Sequence, residues 1–343
     1  MKTYFKKILT QIQFNRKKQQ SFLEDLASLL SDGVSLKEAI GMVETISHGH
    51  TKQIATTMSK TLAEGQSMVN GLTYWFPTTI VEIIRAGESS GTLTETLRSA
   101  AKALDQQSHV TTHLLSSLIY PTIVLTLALI MLVIIKNTVL ENFSSIKPLS
   151  EWPRQGISLY HLAVFIEYGW WALLSFLILI SCMIHQFFTN YTGNYRQKID
   201  SYPLMSFYRD TVAARFMQLL GLLINNGIIV KKALQILSFE AEPYLAWHIM
   251  MMEYRLSGGI DNIAEVLDTQ LLKSDELLRL KIISKGKGFA ATLIKLGEQS
   301  NQRNQQVAIT VGRIAGGIIL VLGASVAADI IFGIYAIGSA LAR

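Results

Sequence analysis

Residues 22–40 read FLEDLASLLSDGVSLKEAI, and residues 216–234 read FMQLLGLLINNGIIVKKAL. Laid over each other 194 residues apart, without a gap, they bring Phe22 onto Phe216, Leu26 onto Leu220, Leu29 onto Leu223, Gly33 onto Gly227, Lys37 onto Lys231 and Ala39 onto Ala233. The same offset carries Leu62 and Gly65 onto Leu256 and Gly259. Self-similarity at one large offset marks a duplicated structural unit. Within each copy the apolar residues recur at helical spacing. A glycine, which reaches the left-handed region without steric cost, then ends the helix. In the first copy Ser35 stands where a side chain caps the next helix. Each copy is therefore expected to open with an antiparallel helix pair.

Of the 343 residues, 50% are hydrophobic and only 16% charged, well below the quarter or so of charged residues usual in soluble domains. The mean hydropathy is +0.31. Three stretches explain it. Leu114 to Ile135, Tyr168 to Phe188 and Ile314 to Leu341 are almost wholly apolar and long enough, as helices, to span a hydrocarbon core. Tyr120-Pro121 lies near the start of the first. Trp170 and Trp171 head the second, where aromatic rings favour the interface. In the third, Gly323 and Ala327, like Ala324 and Ala328, stand four apart, a spacing that lets another helix approach closely. With only six prolines in the chain, the expected fold is an all-α integral membrane protein. It has a helical domain over 1–113, membrane helices over 114–135, 168–188 and 314–341, a polar loop over 136–167, and a second, homologous helical domain over 189–313.

Three crossings place both domains on one side. The domains carry 12 and 15 basic residues, against three in the loop, so the positive-inside rule makes them cytoplasmic, with the N-terminus. The basic N-terminal stretch lacks the apolar core of a cleavable signal. Basic residues are interspersed with acids rather than massed on one face, which argues against nucleic acid.

No arrangement suited to covalent chemistry stands out. Lys285-Gly286-Lys287-Gly288 lacks the spacing of a phosphate-binding loop. His48 and His50 have no further ligand residue nearby, and the single Cys182 cannot form a multi-cysteine site. No catalytic, cofactor or metal residues are therefore assigned. The residues singled out are turn or partner-contact candidates: Gly33 and Gly227, then Gly87, Glu88 and Gly91 in a tight inter-helix turn at AGESSGTL, and Gly297 and Glu298, which repeat half of that motif 210 residues on. Asp329 is the one formal charge well inside an apolar stretch. Such residues are costly in a bilayer, and a transporter or channel subunit using Asp329 is the competing reading.

FPTTIVEIIRAGESSGTL (Phe76 to Leu93), LIYP (Leu118 to Pro121) opening the first span, the duplication and the three-span layout together resemble the inner-membrane platform proteins of type II secretion (protein F) and type IV pilus systems. Length and the PLSEWPRQGISLY loop (Pro148 to Tyr160) are closer to the type IVb pilus branch. The chain departs from the pattern at Asn301 and Arg303, where the family often has glycine and leucine. The resemblance implies a non-enzymatic, oligomeric platform in the bacterial inner membrane. Two six-helix-like bundles would contact a cytoplasmic hexameric secretion ATPase, and the spans would face pilin or pseudopilin and other inner-membrane assembly proteins.

Overall fold

The chain folds as helices because its apolar residues repeat at three to four positions between glycine stops. The computed structural model describes residues 14–239, 241–260, 262–283 and 288–341, and every regular element among them is helical. The helices are α1 (Arg16–Ser31), α2 (Leu36–Ile46), α3 (Gly49–Ala63), α4 (Thr78–Ser90), α5 (Leu93–Ile135), α6 (Glu141–Ile146), α7 (Arg154–Asn190), α8 (Asn194–Ile199), α9 (Pro203–Asn225), α10 (Val230–Phe239), α11 (Pro243–Ser257), α12 (Ile263–Val266), α13 (Ser274–Ile283) and α14 (Phe289–Leu341). Three of these segments, Ser116–Ile146, Arg154–Asn190 and Phe289–Ala340, are long and apolar enough to cross a membrane.

The chain divides into two units, one formed by residues up to 109 and 188–304, the other by 110–187 and 305–343. In the first unit, α1 and α2 form the expected pair. Gly33 adopts φ +84°. Its N–H donates to Leu30 O (3.1 Å), and the Val34 N–H donates to Leu29 O (3.1 Å). Ser35 then caps α2 in a reciprocal box with Glu38, satisfying two otherwise orphaned N–H groups. The α9–α10 turn repeats these bonds residue for residue: Gly227, also at φ +84°, donates to Ile224 O (2.9 Å) and Ile228 to Leu223 O (3.0 Å). Gly65 and Gly259, at φ +71° and +81°, end α3 and the turn after α11 in the same way.

One apolar cluster fills this unit. It takes Phe22, Leu26, Met58, Phe76, Ile84 and Leu97 from before the first membrane-length segment, Ser116–Ile146, and Phe216, Leu220, Leu234, Met252, Leu280 and Leu293 from after the second. The Trp75-Phe76-Pro77 corner closes on Phe14, whose ring meets those of Trp75 and Phe76 edge-on at 6.1 and 5.9 Å. The buried Gln19 amide donates to Trp75 O (3.0 Å) and Phe14 O (3.2 Å).

In the second unit a smaller cluster of Leu132, Leu140, Trp152, Leu159, Ala163, Ile330 and Ile337 joins α5, α7 and α14. Glycines set the approach of these helices. A methyl group on Gly316 would stand 3.1 Å from Pro121 Cγ, and one on Gly323 would stand 3.6 Å from Leu125 Cα. Ala324 and Ala327 instead face outward, so Gly323 alone of the first small-residue pair packs closely.

Three expectations are corrected. The chain does not break across AGESSGTL: α4 runs to Ser90 and α5 starts at Leu93, because Gly91 alone, at φ +76°, makes the turn. The first membrane helix does not begin at 114, because α5 already runs from Leu93. Without a breaker after Leu93, α5 continues through Pro121 to Ile135. The polar loop 136–167 is largely helical, through a π-turn at Lys136–Leu140, α6 and the first turns of α7. Lys285, Gly286 and Lys287 lie outside the described residues.

Because Gly227 holds a left-handed conformation, Gly227→Ala should lower stability by about 1–2 kcal/mol. Gly227→Asn should cost less, since asparagine tolerates that region. The apparent Tm of the detergent-solubilised full chain reads the difference. Equal Tm values for Gly227→Ala and the unaltered chain would contradict this account of the turn.

Candidate functional site

The most distinctive polar stretch, Gly87 to Gly91, lies on the last turn of α4 and its stop. Each residue has a different task. Gly91 caps the helix, its N–H donating to Gly87 O, and the Thr92 N–H donates to the same oxygen at 3.0 Å. The Glu88 carboxylate reaches back to the 3-10 turn Met68–Gly71, accepting from the Ser67 hydroxyl and from the Met68 N–H at 3.0 Å. An anion at the N-terminus of a helical turn satisfies N–H groups that have no partner inside it. Gly87 provides clearance: a Cβ there would stand 2.2 Å from Thr96 Oγ1 and 2.4 Å from Thr96 Cβ. Only a glycine lets the start of α5 come this near α4.

That clearance places Thr96, which is buried, against the second half of the sequence. Its hydroxyl lies 3.0 Å from Asn226 Oδ1 and 2.8 Å from Thr92 O. Asn226 is held in turn by donating through Nδ2 to Leu222 O at 2.8 Å. Beside this contact α4 packs on α9 and α10, leaving a groove of about 240 Å³ bordered by Glu82, Arg85, Ala86 and Ser89 on one side and Asn226, Gly227, Lys232 and Ile236 on the other. The fold thus brings Gly87, Gly91 and Gly227 to one seam. Gly33 does not border it.

Gly297 and Glu298 have a different setting from Gly87 and Glu88. They lie inside α14, not at a helix end, because the matching helix starts are Leu93 and Phe289 and the shared Gly-Glu letters fall out of that register. Gly297 allows α9 to approach, since a Cβ would stand 2.8 Å from Ala214 O. Glu298 pairs with Lys102 at 2.6 Å.

Asp329 is exposed. It borders a cavity of about 230 Å³ with Gln155, Ser158, Leu159, Leu162, Phe332 and Gly333. Its neighbours on α7 precede the apolar run that starts at Tyr168. Leu159 alone lies about 13 Å along the helix from that residue.

Two charged clusters were not foreseen from the sequence. Arg196, 1% exposed, donates through Nε to Asp200 Oδ1 at 2.8 Å, and its guanidinium stacks 4.8 Å from the Tyr244 ring and 5.7 Å from the Tyr208 ring. The Tyr244 hydroxyl donates to Asp200 Oδ2 at 2.8 Å. Burial, followed by the Asp200 charge, pushes its pKa up, which keeps the phenol a donor. Burial likewise pushes the neighbouring His248 down to about 4, so this imidazole is uncharged at neutral pH and bonds Thr269 at 3.0 Å. The i, i+4 spacing of Arg196 and Asp200 was visible, but their aromatic surroundings come from other helices. In the other unit, Lys136, 5% exposed, pairs with Glu167 at 2.7 Å and Glu141 at 3.0 Å. A buried charge is tolerated only when paired in this way.

Among the described residues no group of three His, Cys, Asp or Glu is placed to hold a metal ion. His50 stacks on Trp75 at 5.6 Å. What the residues form is a set of helix–helix seams fixed by glycine clearances and single polar bonds, an arrangement suited to mechanical contact.

Residues 22–140 match the family described as type II secretion system (T2SS), protein F. Toxin coregulated pilus biosynthesis protein E of Vibrio cholerae is 24% identical over 303 residues, covering 86% of this chain and 88% of the relative. Type 4 fimbrial assembly protein PilC of Pseudomonas putida is 35% identical over 112 residues, 32% of this chain and 28% of its own. Type II secretion system protein F of Aeromonas hydrophila is 34% identical over 106 residues, 30% of this chain and 27% of its own. The pilus biosynthesis relative therefore matches along most of both chains, and the other two over about a quarter of their own length.

Gly87→Ala forces a methyl group into Thr96 and should destabilise the chain by about 1–3 kcal/mol, whereas Ser89→Ala, on the exposed side of the same turn, should leave stability unchanged. Thermal unfolding of the two solubilised variants compares them. A Gly87→Ala protein as stable as Ser89→Ala would remove the clearance argument.

Proposed function

We propose that this chain, which belongs to the family of type II secretion F and type IV pilus platform proteins, is the inner-membrane platform of a fibre-assembly machine. It couples a cytoplasmic hexameric assembly ATPase to the extraction of pilin subunits from the bilayer and the growth of the fibre. The observation that carries this reading is the similarity to a pilus biosynthesis protein over 86% of the chain, together with the secretion F match over 22–140. Near-complete coverage favours a pilus over a secretion role.

The architecture supports it. The segments before and after the first two membrane-length helices share one apolar cluster, as required of two cytoplasmic bundles that face one ATPase. The repeated turn bonds at Gly33 and Gly227 support a duplicated bundle. Three apolar helices supply the membrane part, with the residues between α5 and α7 on the periplasmic side and the N-terminus in the cytoplasm. The platform performs no covalent chemistry in this scheme. The ATPase hydrolyses nucleotide, and the platform transmits movement as a homo-oligomer in contact with pilin and other inner-membrane assembly proteins. Transport through Asp329 finds no support in its position, exposed beside Gln155 and Ser158.

Deleting the gene is expected to abolish surface fibres while the pilin is still synthesised and processed, as read by immunoblotting of whole cells against sheared fibres. Normal fibre yield in the deletion strain would refute the proposal.

A further inference from the structure

The seam at Thr96 is closed once within the chain, and among the described residues both of its halves recur in more exposed settings. The helix pairs α4/α5 and α13/α14 start 196 residues apart in both members, at Thr78 and Ser274 and at Leu93 and Phe289. In that register Glu82 matches Leu278, Ala86 matches Ile282 and Thr96 matches Thr292. On the first pair this surface is covered by the Asn226–Gly227 turn and by α10. On the second pair Ile282 and Thr292, the counterparts of Ala86 and Thr96, border a groove of about 300 Å³ that Arg279 and Lys295 also line. Beside the groove, Leu278 is 60% exposed and Ile282 74% exposed. Side chains of this size on one helix face are costly to leave in water.

The part that fills the first seam has its own counterpart. The Asn226–Gly227 turn matches Asp32–Gly33, with the same φ and the same bonds. Asp32 is exposed where its counterpart Asn226, bonded to Thr96, is half-buried. Ile236, which borders the closed seam and is 6% exposed, matches Met42, which is 45% exposed. A position that is buried in one copy of a repeat and large, apolar and exposed in the other, as at Ile236 and Met42, marks an interface awaiting the equivalent partner.

We propose that a second copy of this chain is that partner: the Asp32–Gly33 turn and the Met42 face of one copy seat in the α13/α14 groove of the next. Charge supports the pairing. The turn brings Asp32 and Glu38 to a groove carrying Arg279 and Lys295, and opposite charges across an interface fix register and favour the encounter. The contact joins two different surfaces, so it is heterologous and continues between chains the packing already made within one. The inference rests on the duplication proposed above and not on the role in fibre assembly.

The test uses the full chain in membranes, with Cys182→Ser removing the native cysteine. Two differently tagged copies are co-expressed, one carrying Asp32→Cys and the other Lys295→Cys, and then oxidised. A disulfide-linked product bearing both tags is expected. It should be lost when Asp32→Cys is replaced by Tyr254→Cys, an exposed position on α11. Absence of the product overturns the proposal, whether or not the tags co-purify. So does a product from two Asp32→Cys copies, which would put like turns together. Cross-linking in cells whose fibre assembly does not depend on this protein would leave this interface standing and refute the proposed function alone.

Discussion

An apolar core cannot be shared across a bilayer. Phe22, Ile84 and Leu97 lie before the first membrane-length segment, Phe216, Leu234 and Leu293 lie after the second, and all six are buried in one cluster. The two segments must then occupy one compartment, and the chain between them must cross the membrane an even number of times. Two membrane-length helices, within Ser116–Ile146 and Arg154–Asn190, meet that requirement. The proposal that both segments share one side thus rests on the burial of side chains and not only on the count of positive residues.

Within that shared core the specific contacts are few and depend on the absence of atoms. Gly87 admits Thr96, Gly297 admits α9, and Gly33 and Gly227 take a backbone conformation that other residues reach only at a cost. A few polar bonds mark these contacts: Thr96 with Asn226, Glu88 with Ser67 and Met68, Lys102 with Glu298. Such seams give a helical bundle defined surfaces without a catalytic group, which is what a part that transmits movement needs. The Arg196–Asp200–Tyr244 cluster adds a rigid, fully buried anchor where the second half of the bundle begins.

The sequence revealed most where the constraint is local. The turns at Gly33 and Gly227 were legible because a glycine follows an amphipathic run. The three spans were legible because length and apolarity suffice. AGESSGTL was legible in part: it reads as a tight inter-helix turn, yet only Gly91 has positive φ, and Gly87 is there for clearance, which depends on Thr96 across the helix pair. Gly297-Glu298 misled for a related reason. Identical letters recurred, but α14 starts at Phe289 and carries them inside a helix. The Arg196 cluster was hidden because Tyr208 and Tyr244 reach it only through tertiary packing. Extension of α5 and α7 past the apolar runs was hidden because helices continue through polar residues unless something stops them.

The account stands or falls on the two bundle segments sharing the cytoplasmic side. Single cysteines placed in a Cys182→Ser chain at His50, Gly258 and Ser150 can be labelled in intact cells with a membrane-impermeant maleimide, before and after the inner membrane is opened. The account predicts that Ser150→Cys reacts once the reagent reaches the periplasm, and that His50→Cys and Gly258→Cys react only after the inner membrane is breached. Labelling of either His50→Cys or Gly258→Cys from the periplasm would place the halves of one apolar core in different compartments and contradict it.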